Sequence, residues 1–185
     1  MPTQRAITRK PDHDDFGPTE KTTPARAVVE HLACVNKTLA VAESCTGRLI
    51  AAAITDIPGA SKVFAGGAIT YTNDIKAELL GVPECLIAQH GAVSAEVAAA
   101  MAAAVAEKFG TDYGLAATGF AGPSGGTEAD PVGTVYFGYH SPAGLWACRV
   151  QIEGDRAAVR ERAVEHALNW MRRKLKKYAA DDIAM

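Results

Sequence analysis

Residues 38–57 read TLAVAESCTGRLIAAAITDI, and this stretch decides the fold. Its first part, residues 38–44, is a short apolar run that predicts a buried strand. The remainder predicts a helix that begins near Thr46. A buried strand that passes through a Ser/Thr/Gly turn into a helix is typical of an α/β domain, and the backbone N–H groups at such a turn can face a ligand.

The sequence on both sides continues this alternation of strands and helices. We expect, in chain order, a helix at 24–35, a strand at 62–72, a helix capped by Asn73 and closed by Gly81, an alanine-rich helix from Ser94 to about Gly110, a strand at 113–119, two hairpin strands at 132–140 and 145–152, and a final helix capped by Asp155. The pattern predicts a single α/β domain built as a three-layer α/β/α sandwich with a mixed sheet. We place this domain at residues 23–178, after a disordered or loosely attached tail at 1–22 and before a short tail at 179–185.

Composition excludes several classes of function. The chain has 185 residues and a net charge of -2, which offers no general attraction for nucleic acid or for an anionic membrane. It contains no apolar run of transmembrane length and no signal peptide near its first residue, so we expect a cytoplasmic protein. The four cysteines form no C-x-x-C pair, and we expect neither a disulfide framework nor a metal site.

Three segments carry residues suited to chemistry, and each is expected to lie at or just after the end of a predicted strand. They are Glu43 to Gly47, then Gly59 to Ser61 followed by Thr70 to Lys76, and finally the glycine-rich run from Thr118 to Gly126. Open α/β sheets bind ligands at the carboxyl ends of their strands, so these segments are predicted to surround one site.

Each of these features also has a structural interpretation. Ser44 and Thr46 could simply cap a helix, and the thiol of Cys45 is a possible nucleophile that lacks an obvious histidine base. The glycine-rich run matches neither the phosphate-binding loop nor the dinucleotide fingerprint, so a plain surface turn is its alternative. Arg156 could lie on a solvated helix face or clamp an oxyanion at the helix start.

Six motifs resemble those of the CinA carboxy-terminal domain family. They are AESCTG, TYTNDIK, LIAQHGAVS, ATGFAGPSGG, PVGTVYFG and GDRAAVRERA, which occur in the family's order between about residues 24 and 175. The molybdopterin-binding-like domain that precedes this domain in full-length CinA is not found in the sequence, so we expect no pyrophosphatase activity of that part.

The resemblance implies an amidase that converts nicotinamide mononucleotide (NMN) to nicotinate mononucleotide and ammonia without a cofactor. It implies a serine–lysine mechanism with Ser61, Lys76 and Tyr71 as the catalytic residues, and with Ser44 as the second candidate for the nucleophile. The implied substrate contacts are Ser44, Thr46, Gly47, Thr118, Gly119, Gly122 and Arg156.

Two other functions remain open at this point: a nucleotide-binding regulatory module without catalysis, and a competence- or damage-related partner protein. We also expect a homodimer, because the alanine-rich helix at 95–108 could pack against a second copy.

Overall fold

The computed structural model describes the backbone of residues 22–183 and the side chains of residues 22–177. Most of the predicted tail at 1–22 therefore lies outside the described residues. The helices are α1 (Pro24–Cys34), α2 (Leu49–Thr55), α3 (Asn73–Leu80), α4 (Glu84–His90), α5 (Ala95–Phe109) and α6 (Arg156–Ile183). The strands are β1 (Leu39–Glu43), β2 (Phe64–Ile69), β3 (Tyr113–Gly119), β4 (Thr134–Ser141) and β5 (Gly144–Gln151).

The five strands form one mixed sheet in the order β2-β1-β3-β4-β5. Strands β2 and β3 pair with β1 in parallel, whereas β4 and β5 are antiparallel to their neighbours. Strand β1 is buried along its whole length because it lies between two parallel neighbours with helices on both faces.

Helices cover both faces of the sheet, so the predicted three-layer α/β/α sandwich is confirmed. One apolar cluster joins residues of α1, α2 and α6 to the sheet, and it includes Val28, Ile50 and Met171. The other cluster joins α3, α4 and α5 to the opposite face and includes Leu80 and Met101. The chain thus passes from β1 to β2 on one side of the sheet and from β2 to β3 on the other.

Helix α5 packs unusually close to the sheet. Its alanines Ala98, Ala99, Ala102 and Ala106 are all buried. A Cβ at Gly114 of β3 would overlap the carbonyl oxygen of Ala102. The alanine-rich face therefore packs against the protein's own sheet, and it is not the free surface that the sequence analysis expected to join two copies.

Several element boundaries differ from the sequence expectations. Helix α2 begins at Leu49 rather than near Thr46, because Gly47 and Arg48 have left-handed backbone angles (φ 53° and 83°). Helix α4 was not predicted, and Thr72 rather than Asn73 caps α3. Helix α6 continues to Ile183, so its backbone is helical beyond the predicted domain end at residue 178. None of the helices within residues 22–183 is both long and apolar enough to cross a membrane.

Candidate active site

The candidate site lies beyond the carboxyl ends of β1 and β3, where the connections switch from one face of the sheet to the other. Strands β1 and β3 are parallel neighbours, and the connections from β1 and to β3 run on opposite faces, which opens a crevice beyond their carboxyl ends. A cavity of about 220 Å³ occupies this position. Its lining residues come from five segments: Ser44, Cys45, Tyr71, Asn73, Lys76, Ala92, Val93, Thr118, Gly119, Phe120, Ala121, Gly122, Ser124 and Arg156.

Lys76 and Ser44 form the chemical centre of this cavity. Ser44 directly follows β1, and its backbone N–H donates to the carbonyl of Ala117 in β3. Lys76 lies in the first turns of α3, and its side chain is only 2% exposed. Its Nζ donates to Ser44 Oγ at 3.2 Å and to the carbonyl oxygen of Thr70 at 2.9 Å. A potential nucleophile and a potential base are therefore in direct contact.

Burial lowers the pKa of the Lys76 ammonium below its ordinary value of 10.5. A Cys45 thiolate would oppose this shift, but burial raises the pKa of the Cys45 thiol to about 12 and keeps it protonated near neutral pH. In the part of the chain that the structure describes, no carboxylate forms an ion pair with Lys76. The environment thus favours an uncharged amine next to the serine hydroxyl.

Ser61 does not lie in this cavity, which corrects the expected pairing of Ser61 with Lys76. Ser61 belongs to a short 3₁₀ turn, Ala60–Lys62, and is exposed. The turn precedes β2, and β2 is parallel to β1, so Ser61 lies at the amino edge of the sheet. The five residues of β1 alone span roughly 17 Å between that edge and the cavity. The serine in contact with Lys76 is Ser44.

The loop between β1 and α2 is held from both sides. The buried carboxylate of Glu43 accepts the backbone N–H groups of Ile50 and Ala51 at 3.0 and 2.9 Å, which satisfies the start of α2. On the opposite side, Arg160 of α6 donates to the carbonyl oxygens of Cys45 and Thr46. This loop is therefore fixed relative to both the sheet and the last helix.

Two of the predicted substrate contacts, Thr46 and Gly47, belong to this loop but do not line the cavity. The side chain of Thr46 is fully buried. The backbone N–H of Gly47 donates to the carbonyl of Ser44 and so closes the turn. Both residues shape the loop and lie behind the cavity wall.

Arg156 and Tyr71 meet at the mouth of the cavity. Arg156 donates to Tyr71 Oη at 2.7 Å and to the carbonyl oxygen of Gly122 at 2.8 Å. Both side chains are exposed, and Tyr71 is 57% exposed. The phenol of Tyr71, which was predicted to assist Lys76, is thus hydrogen-bonded to Arg156. The other N–H groups of the Arg156 guanidinium can bind a ligand.

The glycine-rich run, Thr118 to Gly126, forms another wall of the cavity. Thr118, at the end of β3, donates its hydroxyl to the carbonyl of Ala92 at 2.8 Å and so ties β3 to the segment before α5. The far end of the loop is fastened by Asp130, whose carboxylate accepts from Tyr136 Oη at 2.9 Å and from Arg149 Nε at 2.8 Å. The loop is consequently anchored at both ends.

Seven of the ten site residues predicted from the sequence line the cavity: Ser44, Tyr71, Lys76, Thr118, Gly119, Gly122 and Arg156. It missed Asn73, Ala92, Val93, Phe120, Ala121 and Ser124 as lining residues. All six lay inside motifs quoted for the family resemblance, but none of them had been named as a site residue. Ala92 and Val93 belong to the motif LIAQHGAVS and come just after the unpredicted helix α4, and nothing in the sequence placed this motif at the end of a strand. Within residues 22–183, no three His, Cys, Asp or Glu side chains gather as a possible metal site.

Comparison with known proteins gives a consistent result. Residues 21–175 match the CinA C-terminal domain. A CinA-like protein of Desulfotalea psychrophila is 48% identical over 84% of this chain and 38% of its own length. A CinA-like protein of Myxococcus xanthus is 49% identical over 82% of this chain and 36% of its own length. The chain therefore spans less than half of the length of these relatives.

A solved structure supports the same relationship at the level of the fold. The competence damage-inducible protein A of Klebsiella pneumoniae superposes with a TM-score of 0.80 at 31% identity. The match covers 83% of this chain and 95% of that one.

Proposed function

The chain belongs to the CinA C-terminal domain family, and from that premise we propose that it hydrolyses the carboxamide of NMN to nicotinate mononucleotide and ammonia. The observation that carries this proposal is the buried contact between Lys76 Nζ and Ser44 Oγ. We assign the nucleophile to Ser44 and the general base to Lys76.

The proposed reaction has two halves. The uncharged amine of Lys76 takes the proton of the Ser44 hydroxyl while Oγ attacks the carboxamide carbon. The tetrahedral intermediate collapses as Lys76 returns this proton to the leaving ammonia, which leaves nicotinate esterified to Ser44. Water then attacks the ester, Lys76 takes its proton, and the return of that proton to Ser44 Oγ releases the carboxylic acid product.

Substrate recognition follows from the walls of the cavity. Arg156 provides a cation at the start of α6, which suits the phosphate of a mononucleotide. The aromatic rings of Tyr71 and Phe120 line the same cavity and suit a pyridine. The choice of NMN among amides of this shape rests on the family resemblance.

The test is ammonia release from NMN by the purified protein in the presence of a chelator. We expect turnover by the wild type and a loss of roughly 10³-fold or more in kcat for Ser44→Ala, because among the side chains of residues 22–177 no other hydroxyl is hydrogen-bonded to Lys76. Ser61→Ala is the matched control, since it removes an exposed serine hydroxyl at the other edge of the sheet, and its turnover should equal that of the wild type.

The control also separates the competing assignments. Loss of turnover in Ser61→Ala with full turnover in Ser44→Ala would reverse our choice of nucleophile. A wild-type protein that binds NMN but releases no ammonia would support the nucleotide-binding regulatory module instead.

A further inference from the structure

The exposed large apolar side chains gather at one edge of the molecule. Among the side chains of residues 22–177 they are Ile69, Tyr71, Ile75, Leu79 and Phe109. Ile69 ends β2, and Ile75 and Leu79 lie four residues apart on one face of the following helix, α3. A Cβ at Gly66 of β2 would lie 2.8 Å from the ring of Phe109, so Phe109 borders the same strand. Such a concentration is typical of a surface that another molecule covers.

Strand β2 is an edge strand whose backbone lacks the usual protection. It is the outermost strand beside β1, and its sequence, FAGGAI, contains no charged side chain and no proline. Thr70 donates its backbone N–H to the carbonyl of Glu43 at the end of β1. Because alternate residues of a strand direct these groups to opposite sides, Gly67 and Ile69 turn their N–H and C=O groups away from β1. At an edge such outward groups can pair with another strand.

A cavity adjoins this part of β2 on the face of the sheet that α2 covers. Its volume is about 120 Å³, and its mainly apolar lining includes Val41, Ala51, Phe64, Gly67 and Ile69. Gly67 and Ile69 are two residues apart, so they share this face of the strand. The side chain of Ile69 is 52% exposed. A projecting aliphatic side chain and a cavity that suits one therefore lie next to each other.

We propose that β2 pairs in antiparallel fashion with β2 of a second copy of this chain, which joins the two sheets into one. A two-fold axis at Ala68 places Gly67 opposite the partner's Ile69, and Ile69 opposite the partner's Gly67. Each of these pairs exchanges two N–H···O bonds, because both residues face outward. Residues opposite each other share a face of the sheet, so each Ile69 side chain enters the cavity of the other copy.

The charges beyond the two ends of β2 fit this arrangement. Lys62 precedes β2, and Asp74 lies in the first turn of α3 after it. Both side chains are exposed, and within residues 22–177 neither forms an ion pair. Ala68 is equally far from both along the sequence, so each Lys62 comes to the end of the interface where the partner's Asp74 lies. A parallel arrangement would instead bring like charges together.

The edge is large enough for a specific dimer. The six residues of β2 extend roughly 20 Å, and a helix layer on each face makes the edge roughly 25 Å deep. Two copies would bury on the order of 1,000 Å² in total, which is the lower bound for a specific interface. Helix α5, which the sequence suggested as the dimer surface, contributes only its last residue, Phe109.

The test is sedimentation equilibrium of the full chain, with Ile69→Lys and the matched control Ala33→Lys. We expect a wild-type dimer, and a dissociation constant raised by about 10²-fold or more in Ile69→Lys, because an ammonium would enter each apolar cavity. Ala33 is an exposed residue of α1, a helix that packs on α6 and α2 and not on β2. Ala33→Lys adds the same charge away from the edge and should dimerise like the wild type.

An exchange of charges tests the orientation of the two strands. Lys62→Glu and Asp74→Lys should each raise the dissociation constant by about 10-fold, since each creates two like-charge pairs across the axis. When the two variants are mixed, both pairs of the heterodimer have opposite signs. The heterodimer should therefore be favoured over either homodimer. A mixture without this preference overturns the antiparallel arrangement.

Amide hydrogen exchange tests whether β2 itself is the contact. The amides of Gly67 and Ile69 should exchange slowly in the wild-type dimer, and that of Gly67 should exchange faster in Ile69→Lys. A monomer in which both amides are protected would show that another segment of the same chain covers β2, and this would overturn the proposal.

The remaining outcomes are also decisive. A wild type that stays monomeric at roughly 100 μM overturns the proposal. A dimer that Ile69→Lys does not weaken overturns it too, because the copies then meet elsewhere. If Ile69→Lys does not fold, the mixture of Lys62→Glu and Asp74→Lys decides, since both substitutions are at exposed positions. These measurements are independent of ammonia release, so the dimer and the proposed amidase stand or fall separately.

Discussion

Lys76 is a lysine whose surroundings disfavour its charge. The side chain is almost completely buried, and its hydrogen-bond partners are a hydroxyl and a carbonyl rather than a carboxylate. Desolvation without a compensating negative charge destabilises an ammonium. Lys76 therefore acts against the stability of the folded state, and in the proposed amidase the same lowered pKa would favour catalysis at moderate pH.

We expect the pH profile of kcat/KM on NMN to show this lowered pKa of Lys76. The rate should rise with pH as the amine loses its proton and should reach a plateau below pH 10.5, the ordinary lysine value. The measurement is initial rates of ammonia release across this pH range at constant ionic strength. A rising limb centred on the ordinary lysine value would exclude Lys76 as the base.

The same linkage predicts an effect on stability. Between the folded pKa of Lys76 and 10.5, the unfolded chain binds more protons, so the free energy of unfolding should rise with pH. Lys76→Met should lose turnover, remove this contribution to the pH dependence, and raise the free energy of unfolding by about 1 kcal/mol at neutral pH. Thermal unfolding should detect this as an increase of roughly 2–4 °C in Tm. A lower Tm in a folded Lys76→Met would show that the lost hydrogen bonds outweigh desolvation.

The choice between two serines shows what sequence could and could not predict at this scale. Ser44 and Ser61 both adjoin strands, and both belong to polar segments. Their difference is that Ser44 follows a parallel strand while Ser61 precedes one. The resemblance favoured Ser61, and only the parallel pairing of β1 with β2 shows that the two serines lie at opposite edges.

Among the elements, α5 packs so close to the sheet that two strand positions admit only glycine. A Cβ at Gly138 of β4 would overlap the carbonyl oxygen of Ala98, just as one at Gly114 would overlap Ala102. Glycine is thus required in these strands by the helix above them and not by their own backbone angles.

We expect Gly138→Ala to destabilise the protein by about 3 kcal/mol, because either α5 or β4 must shift to admit one methyl group. Gly81→Ala is the control. Its Cβ would meet nothing within 4 Å, and the substitution should cost only about 1 kcal/mol of left-handed backbone strain. Chemical denaturation of both variants measures the difference. Equal losses would show that the close packing of α5 is readily relaxed.

Most elements could be predicted from the sequence because apolar periodicity and capping residues are local signals. The start of α2 could not, because Arg48 adopts a left-handed angle that its residue type does not indicate. Helix α4 has only seven residues and no side-chain cap, so its local signal was weak. The strand order arises from long-range pairing, which no single segment encodes.

At the scale of the whole molecule, Arg156 connects the last helix to two distant segments. Tyr71 and Gly122, its two partners, come from the connection between β2 and α3 and from the glycine-rich loop. The mouth of the cavity is therefore assembled from the middle and the end of the chain.

We expect Arg156→Ala to lower kcat/KM for NMN by roughly 10-fold to 100-fold, the range expected for loss of a hydrogen bond to a charged group. Nicotinamide riboside, which lacks the phosphate, should be a poor substrate for the wild type and should be little affected by the substitution. Kinetics of both enzymes on both substrates provide the measurement. An equal decrease in kcat/KM on NMN and on nicotinamide riboside would show that Arg156 does not bind the phosphate.

The order of these segments along the chain has a consequence for biosynthesis. Ser44 and Lys76 lie 32 residues apart, whereas Arg156 and Arg160 leave the ribosome only after all five strands of the sheet have been synthesised. A nascent chain can bring its serine and lysine together long before α6 docks on the β1–α2 loop. The activity proposed above should therefore arise only after α6 has been synthesised and has docked.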